Sequence, residues 1–317
     1  MKEEIFFVKD LCKRYGKKQV LNNISFSIKQ GEVLGILGSN GAGKSTMIKI
    51  ISGLSKCSSG EINFANKGMS YLDKQYKNNL GIVPQDISLY ENMTVKENLV
   101  LFSRLYGLKG KMMLVGVNNL IEELHLEDKA NTEVRKLSGG MKRRVNIAAA
   151  IVHNPQLIIM DEPTVGIDPE NRKAVWEIIE NQRKKKKSII LVSHYIEEIE
   201  ELSDNVIIIE KGTKVAEDSP SKLIEKYGLF ITYSIEFYNI INKIQEKLIV
   251  DINNNINSEK INVIDNKIDI VVKTDQENYM ESLIGMARSY KLEIKNINIK
   301  KADLEDVFIS FIKEPIK

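Results

Sequence analysis

Nine consecutive residues, Gly38-Ser39-Asn40-Gly41-Ala42-Gly43-Lys44-Ser45-Thr46, constrain this chain more than anything else in it. They fit the pattern G-x-x-x-x-G-K-[ST] without a gap. Before them runs Val33-Leu34-Gly35-Ile36-Leu37, short and apolar enough for a buried strand; after them Met47, Ile48, Ile50, Ile51 and Leu54 recur at helical spacing. Strand, loop and helix is the context in which glycines let backbone N–H groups converge on phosphate oxygens. The helix then aims its positive N-terminal end at the same charge. The implied ligand is a nucleoside triphosphate with Mg²⁺. The loop alone does not separate a kinase, a GTPase, a motor and a transporter subunit.

Composition narrows the partners. At 317 residues two domains are expected. Lys+Arg 46 against Asp+Glu 43 leaves a formal charge of +3, which does not suggest a nucleic-acid-coating protein. Cys12 and Cys57 are far apart and form no C-x-x-C unit, so neither a disulfide scaffold nor a zinc site is indicated. The first ten residues lack the apolar core of a secretory signal. The apolar runs Leu157–Met160, Ile189–Val192 and Val206–Ile209 have strand length, far short of the roughly 18 residues of a membrane span. A soluble, cytoplasmic chain is expected, with any membrane role depending on a partner.

Along the chain, Ile5–Val8 and the alternation Ile24, Phe26, Ile28 read as antiparallel strands with one buried face. Tyr15, just before Gly16, is either an exposed ring that stacks on an adenine or a hairpin aromatic packed on its neighbours. Gly60–Phe64 and Leu80–Pro84 are further strands, the second ending at Gln85, whose amide can coordinate a metal, orient a water or simply be solvated. From about 86 to 152 the pattern is helical. Thr94-Val95-Lys96-Glu97 is a capping box opening a helix with Leu99, Phe102 and Leu105 on one face, and a second helix runs through Leu114, Val117, Ile121 and Leu124. Ser138, in Leu137-Ser138-Gly139-Gly140-Met141, caps a helix that continues through Val145, Ala148 and Ile151 to His153. Leu157–Met160 is a buried strand ending in Asp161-Glu162, two carboxylates at the edge where parallel sheets bind ligands. Beside a phosphate loop the first suits Mg²⁺ and the second a general base for water. Asp168-Pro169 starts another helix, with Trp176 and Ile179 inward, and the basic run Arg183–Lys187 reads as its solvated end. Ile189–Ser193 is a strand that ends at His194, on the same edge as the acid pair, whereas His125 and His153 sit near helix ends and read as structural.

The order of these elements resembles the nucleotide-binding subunit of ATP-binding cassette (ABC) transporters over residues 3 to 218. Tyr15 looks like the adenine-stacking aromatic, Gly38–Thr46 like the phosphate loop, and Leu137–Met141 like the signature motif. Leu157–Glu162 resembles the Mg²⁺-and-base strand, Val165-Gly166-Ile167-Asp168 the dimer loop, and His194 the switch histidine. The resemblance implies an α/β fold: a P-loop NTPase cassette of mainly parallel sheet with an antiparallel β subdomain and a helical subdomain. It also implies an ATPase that works as a head-to-tail pair docked on an integral membrane permease at the inner face of the membrane. Each ATP would lie between Lys44 and Ser45 of one copy and Ser138 and Gly140 of the other, with Gly139 and Asp168 also among the nucleotide-binding residues. Ser45, Gln85 and Asp161 would hold Mg²⁺, Glu162 would polarise the attacking water, and His194 would contact the γ-phosphate.

Two departures stand out. The signature ends in Met141 where the family's common form has Gln, and the dimer loop reads Val-Gly-Ile-Asp; both look like the exporter branch. Residues 219–317 read as a small accessory α+β domain, with strands at Ile231–Phe237, Ile268–Val272 and Leu292–Ile299 and helices at Ile240–Leu248 and Glu277–Ser289. The ending Leu304-Glu305-Asp306-Val307-Phe308 resembles the tail of ATPase subunits serving drug and antibiotic exporters. An exporter ATPase is therefore the leading expectation. A non-transport cassette acting on DNA, ribosomes or iron–sulfur assembly, and a degenerate regulatory cassette, are the alternatives.

Overall fold

A computed structural model describes residues 3–64, 69–70, 73–228, 230–238, 242–273 and 279–313. The chain forms two compact units, Met1–Pro220 and Ser221–Lys317.

In the first unit, β1 (Glu4–Tyr15) and β2 (Lys18–Lys29) form a long antiparallel hairpin. β4 (Ser59–Phe64) pairs with the other edge of β1, and β5 (Met69–Ser70) completes the sheet. Period-two burial of Phe6, Val8 and Leu11 on β1, and of Ile24, Phe26 and Ile28 on β2, turns one face of this sheet into the core. β1 is longer than predicted. It runs on to Tyr15, so the turn at Gly16 sits at the end of a strand rather than between isolated segments.

The second sheet carries the site. β3 (Val33–Gly38), β6 (Leu80–Val83), β7 (Leu157–Asp161), β8 (Ser188–Val192), β9 (Asn205–Glu210) and β10 (Thr213–Asp218) stand in the order β10-β9-β3-β8-β7-β6. Every pairing is parallel except that of β10 with β9. Sheets of this kind are covered on both faces, and the fully buried Leu157–Met160 and Ile189–Val192 show the unbroken apolar runs that follow. Each such side chain contributes about 1.5–3 kcal/mol on burial.

The helices that feed this sheet begin where their caps require. α1 (Lys44–Ile51) follows the phosphate loop. α3 (Val95–Leu105) opens on a complete capping box, Thr94 accepting from the Glu97 amide and Glu97 accepting from the Thr94 amide. Its inner face is Val95, Asn98, Leu99 and Ser103, however, while Leu105 is exposed. Asn98 is buried at no cost in unmet bonds, because its amide exchanges hydrogen bonds with the backbone of Tyr90, Met93 and Thr94. On α4 (Gly110–Glu123) the buried stripe is Met113, Val117, Leu120 and Ile121, with Leu114 turned outward. α5 (Gly139–Ile151) is capped by Ser138, and α6 (Pro169–Lys184) by Asp168 with Pro169 in the first turn. The basic run at the end of α6 is more engaged than predicted. Arg183 pairs with Asp204 and Glu180, Lys185 with Glu123, and Lys187 donates to the Asn154 carbonyl. α2 (Lys74–Asn78) and α7 (Ile196–Leu202) are short connectors absent from the expectation.

The second unit begins inside α8 (Pro220–Tyr227), at its second residue, and continues through β11 (Phe230–Phe237), α9 (Asn242–Asn255), β12 (Ser258–Ile264), β13 (Lys267–Lys273), α10 (Met280–Ser289), β14 (Ile294–Lys301) and α11 (Leu304–Lys313). From β11 to β14 the order is βαββαβ, with an all-antiparallel sheet β12-β13-β11-β14. Tyr233, Ile235 and Phe237 of β11 and Ile268, Ile270 and Val272 of β13 bury one face against Leu248 and Ile252 of α9 and Leu283 and Ala287 of α10. β12, α8 and α11 were not predicted. The helix expected at Ile240–Leu248 extends instead to Asn255, carried through an Asn-rich stretch by Leu248 and Ile252 at i, i+4, with Ile256 buried just past its end. Ile240, Ile241, Glu277 and Asn278 lie outside the described residues.

Candidate active site

Four strands of the parallel sheet end at one edge. In spatial order they bring the phosphate loop from β3, His194 after β8, Asp161 and Glu162 from β7, and Gln85 after β6. A cavity of 570 Å³ opens there, and Ser39, Asn40, Gly41, Gly43, Lys44, Ser45, Thr46, Gln85, Asp161, Glu162 and His194 all line it, with Val20 from β2 at its side. Residues more than 150 positions apart in sequence thus converge on one concavity, as expected outside the carboxyl ends of such a sheet.

The loop's shape is fixed locally. Gly43, at φ 106°, caps α1 in a conformation closed to L side chains, and a Cβ there would strike Leu21 Cδ2 at 2.6 Å. Gly38 and Ala42 do not line the cavity; the Ala42 amide donates to the Ser39 carbonyl at 3.1 Å, and its carbonyl accepts from the Gly212 amide at 3.0 Å. Ser39 Oγ donates to Glu210 Oε2 at 2.6 Å, tying the loop to the end of β9. Lys44 Nζ donates to the Gly38 carbonyl at 2.5 Å and the Ser39 carbonyl at 3.2 Å, so its ammonium is held over the loop.

Charges are balanced rather than independent. Burial lowers the Lys44 ammonium from its ordinary range, and Glu162, Asp161 and Glu210 offset that. Burial raises the Asp161 carboxyl, the neighbouring Glu162 adds to the rise, and Lys44 and Arg143 oppose it. A cation next to Asp161 would reverse the same imbalance. Among the described residues no cluster of three His, Cys, Asp or Glu side chains could hold a metal by itself. The donor set here is instead one carboxylate with a hydroxyl (Ser45) and an amide (Gln85) on the same cavity, oxygen ligands of the type Mg²⁺ accepts when phosphates supply the rest. Bound Mg²⁺ would neutralise charge developing on phosphate oxygens.

Glu162 adopts φ +51°, a left-handed conformation that costs a non-glycine residue on the order of 1–3 kcal/mol. It is held from several directions. Its amide donates to the Val192 carbonyl at 2.8 Å, and its Oε2 accepts from the His194 amide at 3.1 Å and pairs with His194 Nδ1 at 2.7 Å. The acid and the histidine, 32 residues apart, therefore form one unit facing the phosphate loop.

Other expected site residues lie elsewhere. Tyr15 is exposed at the hairpin end with the Lys13 ammonium 4.8 Å from its ring centre, and it does not line the cavity. Neither do Ser138, Gly139, Gly140 or Asp168. Two of these last lie against Asn171: Asp168 accepts from the Asn171 amide at 2.9 Å and from its side chain at 2.7 Å, and a Cβ on Gly140 would meet Asn171 Cγ at 2.2 Å. Ser138 Oγ accepts from the Met141 amide at 3.3 Å, so Met141 contributes backbone to the cap although its side chain lacks an amide.

Sequence reasoning missed three residues here. Glu210 holds Ser39. Glu198, fully buried on α7, accepts from the Trp176 indole at 3.0 Å, and its carboxyl is raised by burial. Arg143, only 2% exposed, donates to backbone carbonyls at the acid pair and at Gln85. Its place between Lys142 and Arg144 in the sequence hid it, because a run of three basic residues gives no sign of which one turns inward.

Comparison with known proteins shows the family. The sequence model of the family described as "ABC transporter" matches residues 21–165. The linearmycin resistance ATP-binding protein LnrL of Bacillus subtilis (strain 168) is 35% identical over 303 residues, 95% of this chain and 96% of the relative. The chain belongs to the ABC transporter ATP-binding proteins. Nod factor export ATP-binding protein I of Burkholderia orbicola (strain AU 1054) is 42% identical over 213 residues, 67% of this chain and 70% of that one. Among solved structures, an ATP binding subunit of an ABC transporter superposes with TM-score 0.64 at 32% identity, covering 71% of this chain and 93% of its own. The cbiO1 subunit of Clostridium perfringens, part of the ABC transporter complex cbiONQ, superposes with TM-score 0.65 at 27% identity, covering 81% and 97%. This ABC transporter subunit is thus an ATP-binding ATPase. No helix among the described residues is long and apolar enough to cross a membrane.

Proposed function

We propose that this subunit drives export through a separate integral membrane permease, sitting at the inner face of the membrane and working as a head-to-tail pair of copies. The observation that carries the reading is the division of the site. The cavity gathers Lys44, Ser45, Gln85, Asp161, Glu162 and His194, while Ser138, Gly139, Gly140 and Asp168 lie outside it, Gly140 and Asp168 both against Asn171. A second copy supplying those residues would complete the site around ATP.

In this arrangement Lys44 leaves the loop carbonyls for the β- and γ-phosphates, and the loop amides of Ser39–Thr46 cradle them. Ser45, Gln85 and Asp161 would hold Mg²⁺, which would supply charge neutralisation at the phosphates. Glu162 takes a proton from water, and His194, already bonded to it, keeps its carboxylate aimed and contacts the γ-phosphate. Tyr15 stacks on adenine. Loss of the γ-phosphate removes the bridge and lets the pair open.

Export is supported by the names of the relatives, one in linearmycin resistance and others in Nod factor export, and by the first of these matching across both units. The permease is supported by exposed apolar side chains on and beside the helical segment: Ile87 and Tyr90 just after Gln85, Leu105 at the end of α3 and Leu108 after it, and Met112 and Val115 on α4. The test is to co-express the full chain with the membrane protein encoded beside it and purify from detergent. The two should co-elute, and ATP turnover should rise in the complex; separate elution with unchanged turnover contradicts the proposal.

A further inference from the structure

All five N–H donors of Arg143 are used, and all on main-chain carbonyls. Nε donates to Pro163 at 2.6 Å; Nη1 donates to Pro84 at 2.7 Å and to Gln85 at 2.9 Å; Nη2 donates to Asp161 at 3.2 Å and to Glu162 at 2.7 Å. A guanidinium has no further donors, so the group is saturated. Its stem rises from the second turn of α5, the helix that Ser138 caps. One side chain therefore joins three parts of the fold: the segment leaving β6, the acid-bearing end of β7, and the start of α5.

We propose that Arg143 is a positioning residue that fixes Gln85 and Glu162 relative to each other and locks both to the helix whose N-terminus carries Ser138. The inference rests on the reading of the cavity as the ATP site. Two features make the role specific. Glu162 keeps its left-handed backbone only under external restraint; Val192 holds its amide and Arg143 its carbonyl, on opposite sides of the strained residue. The fork shape also matters, because the five acceptors belong to residues up to 79 positions apart and are reached by three nitrogens in one plane. A lysine ammonium presents three donors from one point and cannot span both chain segments. The coupling is of the kind that makes a movement of α5, produced by a partner copy at Ser138, arrive at Gln85 and Glu162 as displacement of their main chain.

The test uses the full-length chain and its Arg143→Lys and Arg143→Gln variants, read three ways. Steady-state Mg-ATP turnover should fall at least tenfold in both, while the Kd for a fluorescent ATP analogue changes less than threefold, since Lys44 and the loop are untouched. Hydrogen–deuterium exchange should quicken in the peptides containing Gln85 and Glu162 and stay as in the wild type in β3 and β8. Turnover within twofold of wild type in Arg143→Lys overturns the proposal. So does exchange that quickens uniformly across the first unit, or nucleotide affinity that falls in step with turnover, because each marks a merely structural arginine. Absence of turnover and analogue binding in the wild-type chain would overturn the site reading as well.

Discussion

His153 shows how a single side chain can be read physically once its neighbours are known. Its ring stacks on Tyr106 with centroids 3.5 Å apart, and its Nε2 lies 3.2 Å from the Leu80 carbonyl, so Nε2 carries the proton of the neutral ring. Nδ1 is buried without a hydrogen-bond partner, leaving a second proton nothing to bond. Burial accordingly lowers the group from 6.5 to about 4, the Leu80 carbonyl opposes this, and Lys187 adds to it. A depressed value in the folded state means the unfolded chain takes the proton first. The stabilisation is whole above about pH 6.5 and is lost as pH falls toward and through 4. The thermal midpoint of the wild type should therefore fall faster between pH 7 and 4.5 than that of His153→Gln, which can still donate to Leu80; parallel curves would contradict the assignment. At this scale the phosphate loop, the acid pair and His194 were legible because their chemistry shows in residue type and in position after apolar runs. Arg143, Glu198 and Glu210 were not. Their partners are backbone carbonyls, an indole and a serine hydroxyl from distant segments, and no local spacing marks such bonds.

Among elements, the caps were read correctly, yet two of them have different work. Thr94 and Glu97 exchange hydrogen bonds at the start of α3, whereas Ser138 makes one long bond at the start of α5. Replacing Thr94 by Ala should cost about 1 kcal/mol, lowering the thermal midpoint by about 2–4 °C, and leave ATP-dependent pairing intact. Ser138→Ala should change the midpoint less and abolish pairing, as light scattering with and without ATP will show. Equal effects of the two substitutions on pairing would contradict the composite site. Elements were misjudged where side chains break the apolar code. Buried Asn98 and Ser103 stood where Phe102 and Leu105 were expected, because local carbonyls satisfy them. α9 runs through an Asn-rich stretch because Leu248 and Ile252, followed by Ile256 just past its end, suffice to bury one face. β12 went unseen because only its inner positions are half-buried.

On the scale of the whole molecule, the parallel sheet was legible from its uniformly apolar strands, and the order of motifs along the chain carried the family. What the order of motifs could not display is the geometry that divides the site, since only in three dimensions do Ser138–Gly140 separate from the cavity that Gly38–Thr46 builds. The central claim is that two copies share each ATP. Glu162→Gln keeps the loop, Lys44 and the Mg²⁺ ligands but removes the base, so ATP should bind and persist. Size-exclusion chromatography of this variant in Mg-ATP should show a particle of twice the chain's mass that reverts to one chain in ADP. A single-chain particle in saturating Mg-ATP, with nucleotide demonstrably bound, would contradict the account.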